Sequence, residues 1–156
     1  MRFLVKIVKV IKIYVDTLSM KNSDEENEKG SKMYGNTAHN IYAQNNVGIE
    51  SPEKLISMLY QGVLRFNAQA KKAINDGNIE KKIYWINRSI AIITELVSVI
   101  DMKQGQISQY LEALYAYEIQ LLGSASLDND TTKIDEVSNV FKGLSEAWRD
   151  TTDVAQ

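Results

Sequence analysis

The chain has 156 residues, enough for one domain of ordinary size, and its mix of 44% hydrophobic and 24% charged residues is that of a soluble fold. It carries no cysteine and one histidine, which excludes a disulfide framework, a thiolate nucleophile, zinc sites built on sulfur and His-rich metal centres. One proline and eight glycines favour long uninterrupted helices over many short strands joined by turns, and a formal net charge of -2 gives no overall electrostatic reason to expect nucleic acid.

Charge is unevenly placed. Residues 1–32 carry seven Lys/Arg against five Asp/Glu, and the remainder eleven against fifteen. The run from Phe3 to Val15 is apolar but interrupted by Lys6, Lys9 and Lys12. It is too short and too charged to cross a bilayer, which takes about 20 mostly apolar residues. It also lacks the uninterrupted apolar centre and small-residue cleavage site of a secretory signal. A lysine-bearing amphipathic segment lying on a membrane surface is an alternative for residues 3–15. Asp24 to Lys32 has nothing apolar to bury and reads as a disordered linker. Residues 1–32 are therefore expected to be a poorly ordered or non-native extension, with Met33 a candidate start. Residues 33–50, with Tyr34, Ile41, Tyr42, Val47 and Ile49 as scattered apolar anchors, are expected to be a mobile arm.

Ser51-Pro52-Glu53 then starts a helix for a physical reason: a serine oxygen accepts an orphan amide hydrogen, proline at the first helical position sacrifices no bond, and glutamate suits the positive end. The spacing of Leu55, Met58, Leu59, Val63, Phe66, Ala70 and Ala73 predicts a helix over 52–76, ended by Asp76-Gly77-Asn78. Asn78 is placed to cap a second helix. Its main stripe is Ile79, Ile83, Ile86, Ile90, Ile93, Val97 and Ile100, and Tyr84, Ala91, Ile92, Leu96 and Val99 form a second strip beside it. That is more apolar surface than one face requires. The β-branched density would also suit a strand, but Gly77 to Gly105 contains no breaker and is far too long for one. A third helix over 106–125 is expected to point Ile107, Leu111, Leu114, Tyr115, Leu121 and Leu122 inward, with Tyr110 and Tyr117 flanking. Asp128 to Thr131 breaks it, and a fourth helix over about 131–150 is expected to bury Ile134, Val137, Phe141, Leu144 and Trp148. The expected fold is all-α: an antiparallel up-down-up-down four-helix bundle over 51–150, with an N-terminal arm and a short tail at 151–156.

Catalytic patterns are missing. A di-iron bundle needs Glu-x-x-His pairs projecting inward, but His39 precedes all four helices. Neither a zinc-hydrolase His-Glu-x-x-His, nor a phosphate-cradling loop, nor a serine with a base histidine and an acid is present. Glu112 and Glu118 are expected to face solvent and are too few for an acid–base pair. No enzyme activity, cofactor or metal is expected. Lys71-Lys72 and Lys81-Lys82, with Asp76 and Glu80 among them, read as a solvated hairpin tip. Tyr110, Tyr115 and Tyr117 surround the third helix, so core and binding groove both stay open for them.

The residues also fall in a familiar order. Tyr42-Ala-Gln-Asn45-Asn-Val47 is followed by Ser51-Pro52-Glu53-Lys54-Leu55-Ile56-Ser-Met58-Leu59-Tyr60-Gln-Gly62-Val-Leu-Arg65-Phe66; later come Leu114-Tyr115-Ala-Tyr117 and Gly143-Leu144-Ser-Glu-Ala147-Trp148-Arg149. Over about 33–150 this series resembles the flagellar secretion chaperone family FliS. The resemblance implies a cytoplasmic, cofactor-free helical bundle without catalytic activity. Such a bundle binds the C-terminal segment of flagellin, prevents premature polymerisation and delivers it to the export gate of the flagellar type III apparatus. It leaves room for a co-chaperone, and implies no nucleic acid, no stable membrane insertion and a monomer or weak dimer. The flagellin-binding or groove-capping candidates are His39, Tyr42, Asn45, Val47, Tyr60, Tyr84, Tyr110 and Tyr117. Two departures limit the transfer. His39 stands where many relatives have the first tyrosine of an Ala-Tyr-x-x-Tyr pattern, and Gln61 stands where they often have an acid. The rival reading is a structural helical bundle that self-associates through the surplus apolar strip of the second helix.

Overall fold

The structure is a computed structural model describing residues 52–100 and 102–153. It contains four long helices, α1 (Pro52–Asn75), α2 (Ile79–Ser98), α3 (Gln106–Asp128) and α4 (Thr131–Asp153), with one 3-10 turn at Met102–Gln104. There is no strand among the described residues. Each helix packs on the next and α4 packs back on α1, so the four stand in cyclic order as an up-down-up-down bundle, with short links making neighbours antiparallel.

The helix ends follow from local chemistry. Asn78 adopts an extended conformation and its side chain accepts from the Lys81 amide at 3.0 Å, capping α2 as its place in the sequence predicts. Gly77, at φ +67, makes the turn before it. At the other tight link, Asn129 takes the left-handed conformation at the end of α3 while Asp130 accepts from the Thr132 amide at 2.9 Å. The expected arm and N-terminal extension, and the Ser51 cap, lie outside the described residues.

All five core residues expected in α4 are buried, and Trp148 donates its indole N–H to the Glu53 carbonyl at 3.0 Å, locking α4 to the first turn of α1. In α1, Leu59, Val63, Phe66, Ala70 and Ala73 are buried as expected, Leu55 and Met58 are half-buried, and Ile56 and Tyr60 join the interior.

The second helix is rotated from the expected stripe. Its buried line is Lys82, Ile86, Ser89, Ile93 and Leu96, with Ile92 beside it, whereas Ile79 and Ile83 at the head of the expected stripe are exposed. Polar partners supplied by other helices explain the rotation. Lys82 donates to the Ser126 carbonyl at 2.9 Å and to Asn129 Oδ1 at 2.8 Å, placing a cation at the negative end of α3. Ser89 donates to Asn67 Oδ1 at 2.7 Å, and Asn67 donates to Ser138 Oγ at 3.1 Å, so one buried amide ties α1, α2 and α4 together. Gln61 to Ser145 at 2.8 Å and Lys71 to Asp135 at 2.7 Å continue the polar seam between α1 and α4.

Candidate functional site

The eight candidate residues separate into three groups. His39, Tyr42, Asn45 and Val47 lie outside the described residues. Tyr60 is fully buried, with its hydroxyl 3.1 Å from that of Tyr115, and the two rings flank Phe141 with centroids 5.9 and 6.1 Å away. Burial raises the pKa of both phenols and keeps them protonated. A partner reaches neither without parting the helices, so Tyr115 belongs to the core. Tyr84, Tyr110 and Tyr117 are exposed.

Tyr110 and Tyr117 stand in a pattern. Ile107, Tyr110, Leu114, Tyr117 and Leu121 repeat at three and four residues along α3, each one position before the buried line Ser108, Leu111, Tyr115, Glu118 and Leu122. Ile107, Leu114 and Leu121 are half-buried against the core, while Tyr110 and Tyr117 are each 55% exposed. The seam therefore slopes from the interior to water. Ser126, which accepts from Lys82 of α2, lies on the other flank of α3, so the seam is on the α4 side, where Val140 is also half-buried against the core. An apolar row with this period is the complement of one face of another helix.

Glu118 corrects the expectation of a solvent-facing carboxylate. It is 2% exposed, its Oε2 has no hydrogen-bond partner, and its carboxyl is pushed up to about 7, by burial first and by Glu136 second. Helical spacing required this: a buried line through 111, 115 and 122 must pass through 118. Lys82 is a second buried polar residue that reasoning from composition missed; it continues the α2 line of Ile86, Ser89, Ile93 and Leu96 one turn toward the N-terminus.

Ile79 and Ile83 of α2 and Leu127 of α3, 86% exposed, are further exposed apolar side chains, on the two helices that Lys82 joins. On the α1–α2 face, Tyr84 packs edge-on against Trp85 at 4.8 Å, and Trp85 lies 5.5 Å from Phe66. Among the described residues no cluster of His, Asp and Glu is arranged to hold a metal ion, and no helix is long and apolar enough to cross a membrane. What the described residues offer is an exposed apolar seam on α3 with Tyr110 and Tyr117 at its outer edge.

A family model described as flagellar protein FliS matches residues 34–155. The chain is 52% identical over 119 residues to the flagellar secretion chaperone FliS of Campylobacter jejuni subsp. jejuni serotype O:6, covering 76% of this chain and 93% of that protein. It is 30% identical over 126 residues to the flagellar secretion chaperone FliS of Escherichia coli K12, covering 76% and 91%. It is 35% identical over 123 residues to the flagellar secretion chaperone FliSB of Pseudomonas aeruginosa, covering 74% and 96%.

Proposed function

The chain belongs to the FliS family of flagellar secretion chaperones, and from that premise we propose that it binds the C-terminal segment of flagellin in the cytoplasm, keeps it unpolymerised and delivers it to the flagellar type III export apparatus. The protein acts by contact alone, without catalysis or cofactor. The observation that carries this reading is the α3 seam, an apolar row on a family member's bundle that leaves Tyr110 and Tyr117 in water.

Tyrosine suits such a surface because it covers a large area for two side-chain torsions and keeps a polar tip. The flagellin segment lays an amphipathic helix along the α3–α4 flank, with Tyr110 and Tyr117 as anchors. The arm, through Tyr42 and Val47, covers part of the same apolar surface when flagellin is absent and yields it on binding. A segment that folds on binding spends about 2–5 kcal/mol or more on its own ordering, so an extended seam fits the task better than a small pocket.

The test is calorimetry and ultracentrifugation of the full chain with the last segment of the flagellin from the same genome. A one-to-one complex, lost when that segment is truncated, supports the proposal. A stable higher oligomer that ignores the segment overturns it in favour of a self-associating bundle.

A further inference from the structure

On the α1–α2 face two arginines stand without an acidic neighbour among the described residues of their own helices. After Glu53, α1 has no acidic residue, and α2 has none between Glu80 and Glu95. Within this acid-free zone the guanidinium groups of Arg65 and Arg88 both lie over the Phe66 ring, at 5.4 and 4.9 Å from its centroid. Arg88 also lies 5.4 Å from the Tyr84 ring and donates to its hydroxyl at 3.0 Å. Among the described residues neither arginine has a carboxylate within ion-pair distance. Attraction to the ring face holds each guanidinium near Phe66, and a guanidinium fork matches a carboxylate.

The complementary charge lies in the same chain. Asp24, Glu25, Glu26 and Glu28 form a run with no basic and no apolar residue among them. Residues 29–51 join that run to the start of α1, a stretch that reaches up to about 75 Å. Arg65 lies about 20 Å along α1 from Pro52. The tether is ample.

We propose that the acidic run 24–28 docks on the Arg65–Phe66–Arg88 face of its own chain and screens that face from other acidic segments. Each exposed ion pair is weak, but a tethered segment competes at an effective concentration of about millimolar. The contact is therefore populated at low salt and released at high salt, where the screening length shrinks to a few ångström. It is independent of the flagellin reading, because it concerns a different face and a segment outside the family match at 34–155.

The experiment titrates a synthetic tetraglutamate peptide into the full chain and into a variant carrying Asp24→Asn, Glu25→Gln, Glu26→Gln and Glu28→Gln, following the Trp85 indole resonance by NMR. Trp85 touches the face, and the buried Trp148 serves as internal control. At low salt the neutralised chain is expected to bind the peptide about two-fold tighter or more, since a cis competitor near its own dissociation constant halves the free face. The gap is expected to vanish near 0.5 M salt (about a 4 Å screening length), and to vanish when Arg65→Gln and Arg88→Gln are added. Equal affinity of the two chains at low salt overturns the proposal. So does a gap that survives the arginine changes, or one that grows with protein concentration, which would make a second copy the occupant. The four acidic positions lie outside the four described helices, and unchanged melting of the neutralised chain confirms that folding is not what moved.

Discussion

The hydroxyls of Tyr60 and Tyr115 meet at 3.1 Å in the interior, where α1 and α3, on opposite corners of the bundle, reach each other across the core. Both side chains are fully buried, so each phenol depends on the other for a partner. Removing one hydroxyl strands the other. Tyr60→Phe or Tyr115→Phe alone is expected to cost about 1–2 kcal/mol, while the double change costs little more than either. Urea unfolding of the three variants measures this, and strictly additive losses would show that the two hydroxyls act separately.

Glu118 predicts a pH dependence of definite sign. Its ordinary value of 4.5 applies to the unfolded chain, and burial raises it to about 7 in the bundle. Between those values the folded state holds more protons than the unfolded one, so stability falls as pH rises from 4.5 to about 7, by about 3 kcal/mol at most, and this group adds no slope above or below. Glu118→Gln is expected to remove that slope and to raise stability at neutral pH relative to the parent. Denaturant midpoints across pH 4–8 (a range of about 4 units bracketing both values) decide it, and an unchanged slope in the variant assigns the titration elsewhere.

Lys82 carries its charge into a half-apolar corner to satisfy the end of α3. Lys82→Met keeps most of the stem and removes the donor, so the Ser126 carbonyl and Asn129 lose their partner at a cost of about 1–3 kcal/mol. Thermal melting should show the loss, with hydrogen exchange rising first in the last turn of α3. Protection spread evenly over the bundle would contradict a local capping role.

Tyr117→Ala and Tyr110→Ala separate binding from folding. Both rings are more than half exposed, so melting should shift little, while affinity for the flagellin segment drops about ten-fold for each, equivalent to about 1.4 kcal/mol. Tyr42→Ala is expected to weaken binding more than stability for the same reason. Unchanged affinity with a collapsed melting point would leave any of the three as a packing residue.

Much of the architecture was legible from local signals. The cap at Asn78, the turn at Gly77 and the break at Asp128 to Thr131 act within a few residues, so all four helices were placed with ends within a few positions of those observed. The core of α4 was legible because its apolar band is narrow: with only one stripe to bury, Ile134, Val137, Phe141, Leu144 and Trp148 had no alternative. In α2 the band is wide, and the expected stripe placed Ile79 and Ile83 inside.

The amino-acid order alone determined the number, approximate length and direction of the helices, because caps, breakers and period act along one strand of chain, while the family was carried by the ordered residue motifs from Ser51 to Phe66 and from Leu114 to Arg149. It did not determine which edge of a broad apolar band turns inward, since that rotation is decided by what the neighbouring helices offer. Asn67, Ser138 and the end of α3 drew Ser89 and Lys82 of α2 into the bundle interior. Tertiary packing likewise divided the tyrosines, taking Tyr60 and Tyr115 into the core as a mutual pair and leaving Tyr84, Tyr110 and Tyr117 in water, because a buried hydroxyl survives only where a partner from another helix meets it.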